Sequence, residues 1–205
     1  MNRKHGNTKA FILEKATPLF AKYGYECTTI KDISQATDIN VSLISYYFGG
    51  KEGLFKACIE DFGASKFELF ERIIIPPKSK EELNIRLGLF LDEIIKTHTE
   101  QQDLVTLVYR ELESSEQRSI DLFKRSFLNL HDLIVTFFDG AKKNKVIRSS
   151  IDPKITTLIF FGSIKSIFVN IKFKKQALNV DILNEDVSNR IKEQYLKIFC
   201  EWLLL

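Results

Sequence analysis

The segment ISYYFGGKEGLF, residues 44–55, contains the residues in this sequence that most resemble a phosphate-binding site. Glycines beside a lysine can hold a phosphate group, but a nucleotide-binding loop also needs an earlier glycine, a Ser or Thr after the lysine, and a strand in front. Ser45 stands at the earlier glycine position, Glu52 follows Lys51, and no strand pattern precedes them. The other interpretation is that Gly49 and Gly50 separate two helices.

No other group of residues predicts catalysis. The histidines and cysteines are isolated along the chain, and no metal-protease, nucleophile-elbow or paired-carboxylate pattern can be read. We therefore expect no catalytic residue, no metal site, no cofactor and no enzyme activity. The cysteines are expected to be buried or half-buried free thiols: Cys27, Cys58 and Cys200.

The composition is that of a helical globular chain. Hydrophobic residues make up 44% of the 205 residues, and only 9 Gly and 4 Pro occur, which favours long helices. No apolar run approaches the roughly 20 residues of a membrane span. The basic start MNRKHGNTKA leads into an amphipathic segment rather than a signal-peptide core. We expect no membrane partner and a cytoplasmic location.

Positive charge is concentrated at one end of the chain. Residues 1–56 hold 8 Lys or Arg and 5 Asp or Glu, whereas the remaining 149 residues hold 22 of each. The net charge of +3 therefore belongs to the first quarter of the chain. This distribution favours a polyanionic partner for that end.

A long first helix is predicted over residues 8–23, where Pro18 predicts a local kink and Gly24 a stop. Its apolar stripe consists of Ile12, Ala16, Leu19, Phe20 and Tyr23. Thr28 or Thr29 can cap a second helix, whose apolar side consists of Ile30, Ile33 and Ala36.

A short third helix follows a tight connection. Asp38 suits the positive φ of such a connection, and Asn40 suits the N-cap position. The spacing turns Val41, Ile44 and Phe48 inward and leaves an uncharged outward face of Ser42, Leu43, Ser45 and Tyr46. Two short helices after a longer one are the form of a helix-turn-helix, and such a face can lie against base edges. A three-helix core without a DNA partner would show the same stripes.

The order of residues in this region resembles the DNA-binding domain of TetR/AcrR-type bacterial transcriptional regulators. The matching positions are Gly24, Tyr25, Thr28, Thr29, Ile30, Ile33, Ala36, Ile44, Tyr47, Phe48, Lys51, Glu52 and Leu54. The sequence departs from the family pattern at Ser34, Asp38 and Asn40, and at the base-reading positions Ser42, Leu43 and Ser45. The resemblance is specific for residues 8–56, and it does not transfer an operator sequence.

The resemblance implies DNA-contact roles for residues of this region. Thr29 would bind a phosphate, and Val41, Ser42 and Leu43 would approach base edges, with Leu43 a candidate for a thymine methyl. Tyr46 and Tyr47 would reach phosphates, although Tyr47 is equally a candidate core aromatic. Lys51 would contact a phosphate at a helix N-terminus. The predicted DNA-binding set is Thr29, Val41, Ser42, Leu43, Ser45, Tyr46, Tyr47 and Lys51.

The rest of the chain is predicted to be helical. Expected helices are 51–72, 80–98, 101–113, 116–143, 153–174 and 184–204, with a connection over 144–152. The many phenylalanines here form an aromatic core, or some of them line an effector cavity as the family resemblance implies. The candidate cavity residues are Tyr109, Arg110, Phe127, His131 and Phe161.

Two of these helices are suited to pairing subunits. Small side chains share one strip of the helix that begins at residue 153, and the last helix carries a long apolar stripe. A homodimer is therefore predicted, as the family usually forms. Its candidate interface is Ile159, Gly162, Ser163, Ser166, Ile191, Tyr195, Phe199 and Trp202.

These observations predict an all-α protein with about nine helices. Residues 1–50 would form a three-helix head with its helix-turn-helix at about 29–48, and residues 51–205 a larger helical bundle for ligand binding and dimerisation. The resemblance implies a ligand-released repressor that binds a palindromic double-stranded DNA operator, with a partly apolar small-molecule effector. The alternative is a helical small-molecule or protein-binding module that has lost DNA binding.

Overall fold

The computed structural model describes residues 2–113 and 117–204, and side chains are described for 8–113 and 119–204. Within these residues the chain is all-α and forms eleven helices. They are α1 Asn2–Cys27, α2 Ile30–Thr37, α3 Val41–Phe48, α4 Lys51–Ile73, α5 Lys80–Glu100, α6 Gln102–Glu113, α7 Gln117–Ser126, α8 Leu128–Lys143, α9 Pro153–Phe168, α10 Ile171–Ala177 and α11 Glu185–Leu204. The all-α prediction is confirmed.

The count exceeds the predicted nine because two predicted helices are each divided. The predicted helix 116–143 breaks between α7 and α8 at Phe127, and the predicted helix 153–174 breaks between α9 and α10. Asn170 adopts a left-handed conformation at the second break, with φ of 54°. No Gly or Pro marks either break in the sequence.

The chain divides into two compact units. Unit 1 comprises Met1–Lys66 and Gln101–Leu128, and unit 2 comprises Phe67–Glu100 and Asn129–Leu205. Helix α4 begins in unit 1 and ends in unit 2. These units are defined by which residues pack together and not by function. The predicted division of function at residue 50 therefore stays a prediction.

Unit 1 has a core beneath its first three helices, in which α1 packs against α2 and α6. Fully buried side chains come from α1, α2, α3, α4 and α6: Ile12, Ala16, Phe20, Ile33, Ile44, Leu54, Phe55 and Leu107. The predicted stop at Gly24 is confirmed, because this residue has φ of 81° and leaves helical geometry inside α1.

Four inward-facing predictions in unit 1 are wrong, one of which, Val41, lies on helix α3 and is described with that helix below. Tyr23, which directly precedes the break at Gly24, is exposed, and the Lys22 ammonium lies 4.8 Å from the centroid of its ring. Ala36 is exposed, because helix α2 buries Thr37 in its place. Cys27 is an exposed thiol at the end of α1, whereas Cys58 and Cys200 are buried as predicted.

Unit 2 has an aromatic core. Phe70, Phe90, Phe137, Phe138 and Phe160 are fully buried. Phe160 is central, since its ring centroid lies 5.4 Å from that of Phe90, 5.8 Å from that of Phe138 and 5.2 Å from that of Phe199. The predicted connection 144–152 is confirmed, and Asp152 caps α9 with Pro153 in the first turn.

Candidate nucleic-acid interface

Local capping defines both ends of helix α3. The Asn40 side chain accepts a hydrogen bond of 2.8 Å from the Leu43 N–H, as predicted for an N-cap. Gly49 ends the helix in a left-handed conformation, φ 73°, and its N–H donates to the Ser45 carbonyl. Gly50 then turns the chain with φ of 113°, and α4 begins at Lys51. The glycines therefore separate two helices.

The turn between α2 and α3 also has the predicted geometry. Asp38 closes α2 in the left-handed region, with φ of 55° and ψ of 29°. Ile33 of α2 and Ile44 of α3 are both fully buried. The two short helices therefore share the core of unit 1 and form a helix-turn-helix.

The exposed side of α3 is uncharged. Ser42 and Leu43 are exposed, Ser45 is half-buried, and Tyr46 projects furthest, with 78% of its surface exposed. Val41 was predicted to face inward, but it is 39% exposed because it occupies the first position of α3, beside the N-cap. The structure thus brings the predicted base-reading residues together on one exposed face.

Tyr46 and Tyr47 differ in burial although they are neighbours. The Tyr47 ring is half-buried and packs against the core of unit 1. The ring centroids of the two tyrosines lie 5.6 Å apart in an edge-to-face arrangement. Tyr47 therefore supports Tyr46 from the core side, and Tyr46 is the one of the pair that extends into solvent.

Thr29 lies at the start of α2 in a capping box with Asp32. The Thr29 hydroxyl donates to the Asp32 carboxylate over 2.6 Å, and the Asp32 N–H donates back to the hydroxyl over 3.1 Å. The hydrogen bond from the Thr29 hydroxyl lowers the pKa of Asp32, with the Thr29 N–H contributing as well. Since the hydroxyl proton already has an acceptor, a phosphate here would be bound more readily by N–H groups of the first turn of α2.

Lys51 is half-buried at the start of α4. Its ammonium donates to the Tyr25 carbonyl over 2.9 Å and to the Glu26 carbonyl over 3.5 Å, and it lies 4.2 Å from the centroid of the Tyr25 ring. These carbonyls are at the C-terminal end of α1, where a cation is favourable. The ammonium would have to exchange these contacts to reach a phosphate.

Sequence reasoning missed two residues of α2 that hold the turn in front of α3. Ser34 and Thr37 both form hydrogen bonds with the backbone of Ile39. Ser34 departs from the family pattern, but nothing in its spacing predicts the contact.

The predicted effector residues are divided between the two units. In unit 1, burial raises the pKa of Tyr109, and Arg110 is exposed. The ring centroid of Phe127 lies 6.4 Å from that of Phe62 and 6.1 Å from that of Phe123. In unit 2, His131 is half-buried with its Nδ1 atom 3.2 Å from Asp132, and Phe161 packs beside Phe160. A shared cavity for these residues stays a prediction.

The predicted interface residues lie on α9 and α11 of unit 2, which pack together. The Ser163 hydroxyl and the Tyr195 hydroxyl are 2.8 Å apart, and Tyr195 also donates to the Phe160 carbonyl. Ile159, Gly162, Ser166 and Trp202 are exposed, and Ile191 is half-buried. Phe199 is only 7% exposed because it packs into the aromatic core, whereas its neighbour Ile198 is 67% exposed. Ile198 therefore joins Ile159, Gly162, Ser166 and Trp202 in an exposed set on these two helices, which we call the α9–α11 strip. Phe199 is buried and does not belong to this strip.

The described residues contain neither a group of side chains suited to bind a metal ion nor a single helix suited to span a membrane. There, no group of three or more His, Cys, Asp or Glu side chains could hold a metal ion. No single described helix has the length and apolar character to cross a membrane, and α9 with α10 has them only as a pair bent by 59°.

Sequence comparison agrees with this geometry. The family model for bacterial regulatory proteins of the tetR family matches residues 12–58, which include α2, α3 and the start of α4. The protein named "Probable HTH-type transcriptional regulator YttP", from Bacillus subtilis (strain 168), is 37% identical over 109 residues, covering 52% of this chain and 51% of YttP. Over residues 12–58 the chain is therefore similar to regulatory proteins of the tetR family.

The named relatives are matched over only part of their length. This chain spans about half or less of the length of the named relatives that it matches. The fold comparison below extends over more of the chain.

Solved structures share the fold over nearly the whole chain. GusR of Salmonella enterica is 17% identical with a TM-score of 0.74, covering 97% of this chain and 95% of GusR. FadR of Bacillus subtilis, solved in complex with stearoyl-CoA, is 17% identical with a TM-score of 0.75, covering 91% of this chain and 96% of FadR. At this identity the likeness establishes the fold alone.

Proposed function

We propose that this chain is a sequence-specific DNA-binding transcriptional regulator: a repressor that binds a palindromic operator as a dimer and is released by a small-molecule effector. The observation that carries the proposal is the exposed, uncharged face of α3 in a capped helix-turn-helix within the TetR-family match. DNA binding would place the chain in the bacterial cytoplasm, on the nucleoid.

The α3 face has the chemistry that base reading requires. Serine hydroxyls at positions 42 and 45 can donate or accept hydrogen bonds, and Leu43 offers an apolar contact for a thymine methyl. No acidic residue lies within α3, so the face does not repel phosphates. The +3 charge of residues 1–56 supports attraction to the DNA backbone.

Phosphate contacts are proposed around this face. The Tyr46 hydroxyl would donate a hydrogen bond to a phosphate oxygen, and the Tyr47 ring would hold the Tyr46 ring in position. The start of α2 after Thr29 would supply N–H groups, and Lys51 would supply a positive charge. Such contacts fix the register of α3 without reading sequence.

The exposed strip of α9 and α11 supports a homodimer. In a single chain its residues are exposed to solvent: Ile159, Gly162, Ser166, Ile198 and Trp202. A Cβ atom placed on Gly162 would meet nothing within 4 Å, so the strip is open to a partner helix at this point. A two-fold dimer would present two α3 helices to the half-sites of a palindrome.

The effector is proposed to be partly apolar. The candidates Tyr109, Phe127 and Phe161 are aromatic, and FadR, which shares the fold, was solved with stearoyl-CoA. Release from DNA requires that the effector bind the DNA-competent and DNA-incompetent conformations unequally. Residues 51–205 would carry this binding and the dimer, and residues 1–50 the DNA contact.

Selection from random duplexes followed by sequencing tests the proposal without a known operator. We expect the wild-type chain to enrich an inverted repeat. A matched variant, Leu43→Glu, places a carboxylate on the exposed face and should enrich nothing while its helical circular dichroism is unchanged. No enrichment by the folded wild-type chain would favour the alternative of a module that has lost DNA binding.

A further inference from the structure

Ile39 is attached to helix α2 through both of its backbone polar groups. The Ser34 hydroxyl donates a hydrogen bond of 2.6 Å to the Ile39 carbonyl. The Thr37 hydroxyl accepts a hydrogen bond of 3.3 Å from the Ile39 N–H and itself donates to the Ile33 carbonyl over 2.8 Å. Two side chains of α2 thus bind the backbone of one turn residue.

Ile39 occupies the position that decides where α3 begins. It directly precedes Asn40, the N-cap of α3, and its side chain packs against the core of unit 1. Asp38 on its other side adopts a left-handed conformation, which residues with a Cβ atom adopt at a cost. A turn of this kind is stabilised when neighbouring groups fix its backbone, and the two hydroxyls do so here.

We propose that Ser34 is a positioning residue for base recognition by α3. Its hydrogen bond to the Ile39 carbonyl holds the start of α3 in a fixed position relative to α2. Ser34 itself lies in α2 and is half-buried, and it needs no contact with DNA for this role. The inference deepens the proposed DNA-binding function and depends on it.

The expected effect is on specific rather than total DNA binding. Hydrogen bonds to base edges are directional, so a small rotation or shift of α3 weakens them. Attraction between lysines and phosphates is long-ranged and depends little on such a shift. Loss of the Ser34 bond should therefore lower the affinity for the selected duplex and leave the affinity for a scrambled duplex unchanged.

The test compares Ser34→Ala with Ser65→Ala in the full-length chain. Ser65 is a matched control, because its hydroxyl also donates to a backbone carbonyl, that of Phe62 over 2.9 Å, but from within α4. Affinities are measured by fluorescence anisotropy on the selected duplex and on a scrambled duplex of the same length, over a series of salt concentrations.

We expect Ser34→Ala to lose about three- to tenfold in affinity for the selected duplex, the worth of one hydrogen bond. Its affinity for the scrambled duplex and its salt dependence should match those of Ser65→Ala. Ser34→Thr retains the hydroxyl and should recover most of the loss.

Three results would overturn the inference. One is a Ser34→Ala variant that is indistinguishable from Ser65→Ala on the selected duplex. Another is an equal loss on both duplexes, which indicates a general destabilisation, and the third is failure of Ser34→Thr to recover affinity. A folded wild-type chain that binds both duplexes equally would contradict the proposed function itself, and this inference with it.

Discussion

The helix-turn-helix of unit 1 and the α9–α11 pair of unit 2 are held by different kinds of interaction. In residues 29–50, short-range hydrogen bonds set the ends of each helix: Thr29 with Asp32, Asn40 with Leu43, and Gly49 with Ser45. In α9 and α11, a buried aromatic cluster around Phe160 joins helices that are distant in sequence. The first region depends on local rules and the second on packing.

The two regions also expose different surfaces. The α3 face is formed by serines, a leucine and a tyrosine, which suits a polar partner. The α9–α11 strip exposes large aliphatic and aromatic side chains, and such surface is usually covered by protein. The difference supports our proposals that the α3 face binds DNA and that another copy of the chain covers the α9–α11 strip.

The largest effect is expected from the aromatic cluster. Phe160→Ala removes a fully buried ring and should lower the free energy of unfolding by about 3–5 kcal/mol. Phe173→Ala is the matched control, because Phe173 is 60% exposed and its loss should change stability by less than about 0.5 kcal/mol. Urea denaturation followed by circular dichroism measures both, and similar losses would show that packing does not dominate unit 2.

A change on the α9–α11 strip should separate subunits without unfolding them. Ile198→Glu places two carboxylates in the proposed dimer interface and should raise the dimer dissociation constant by roughly a hundredfold or more. Ile85→Glu is the control, since Ile85 has a similar exposure, 60%, on helix α5. Sedimentation equilibrium gives both constants, and a wild-type chain that is monomeric at micromolar concentration would refute the dimer.

On the α3 face, Tyr46→Ala should weaken operator binding by about tenfold, the value of one good contact. The ring is 78% exposed, so the midpoint of thermal unfolding should hardly change. Titration with the selected duplex measures the affinity, and a thermal scan measures the unfolding midpoint. Unchanged affinity would remove Tyr46 from the contact surface.

Lys51→Ala should produce a smaller effect that salt dependence reveals. If its ammonium leaves the Tyr25 and Glu26 carbonyls for a phosphate, the slope of log affinity against log salt should become shallower by about 0.9. Lys56→Ala is a suitable control, because Lys56 pairs with Glu52 on the same helix. An unchanged slope with a lower unfolding midpoint would instead assign Lys51 to holding the end of α1.

Residues of the first region could be predicted because their roles depend on near neighbours. Asn40, Gly49 and Asp38 each occupy a cap or turn position that suits their chemistry, and the structure places them there. The bond from Ser34 to Ile39 escaped prediction, because a hydroxyl reaching five residues along the chain leaves no periodic pattern.

The second region was less predictable because periodicity does not say which neighbour a stripe faces. Phe199 and Ile198 are adjacent on the apolar side of α11, yet the first is buried and the second exposed. The breaks at Phe127 and Asn170 arise without Gly or Pro, so the residues that usually mark a helix end in a sequence do not mark them.

The specificity ratio tests the central claim most directly. It is the affinity of the wild-type chain for its selected duplex divided by that for a scrambled duplex of the same length, measured at physiological salt. A regulator that reads bases through α3 should prefer the selected duplex by about a thousandfold or more. Equal affinities in a folded, dimeric chain would contradict sequence-specific DNA binding.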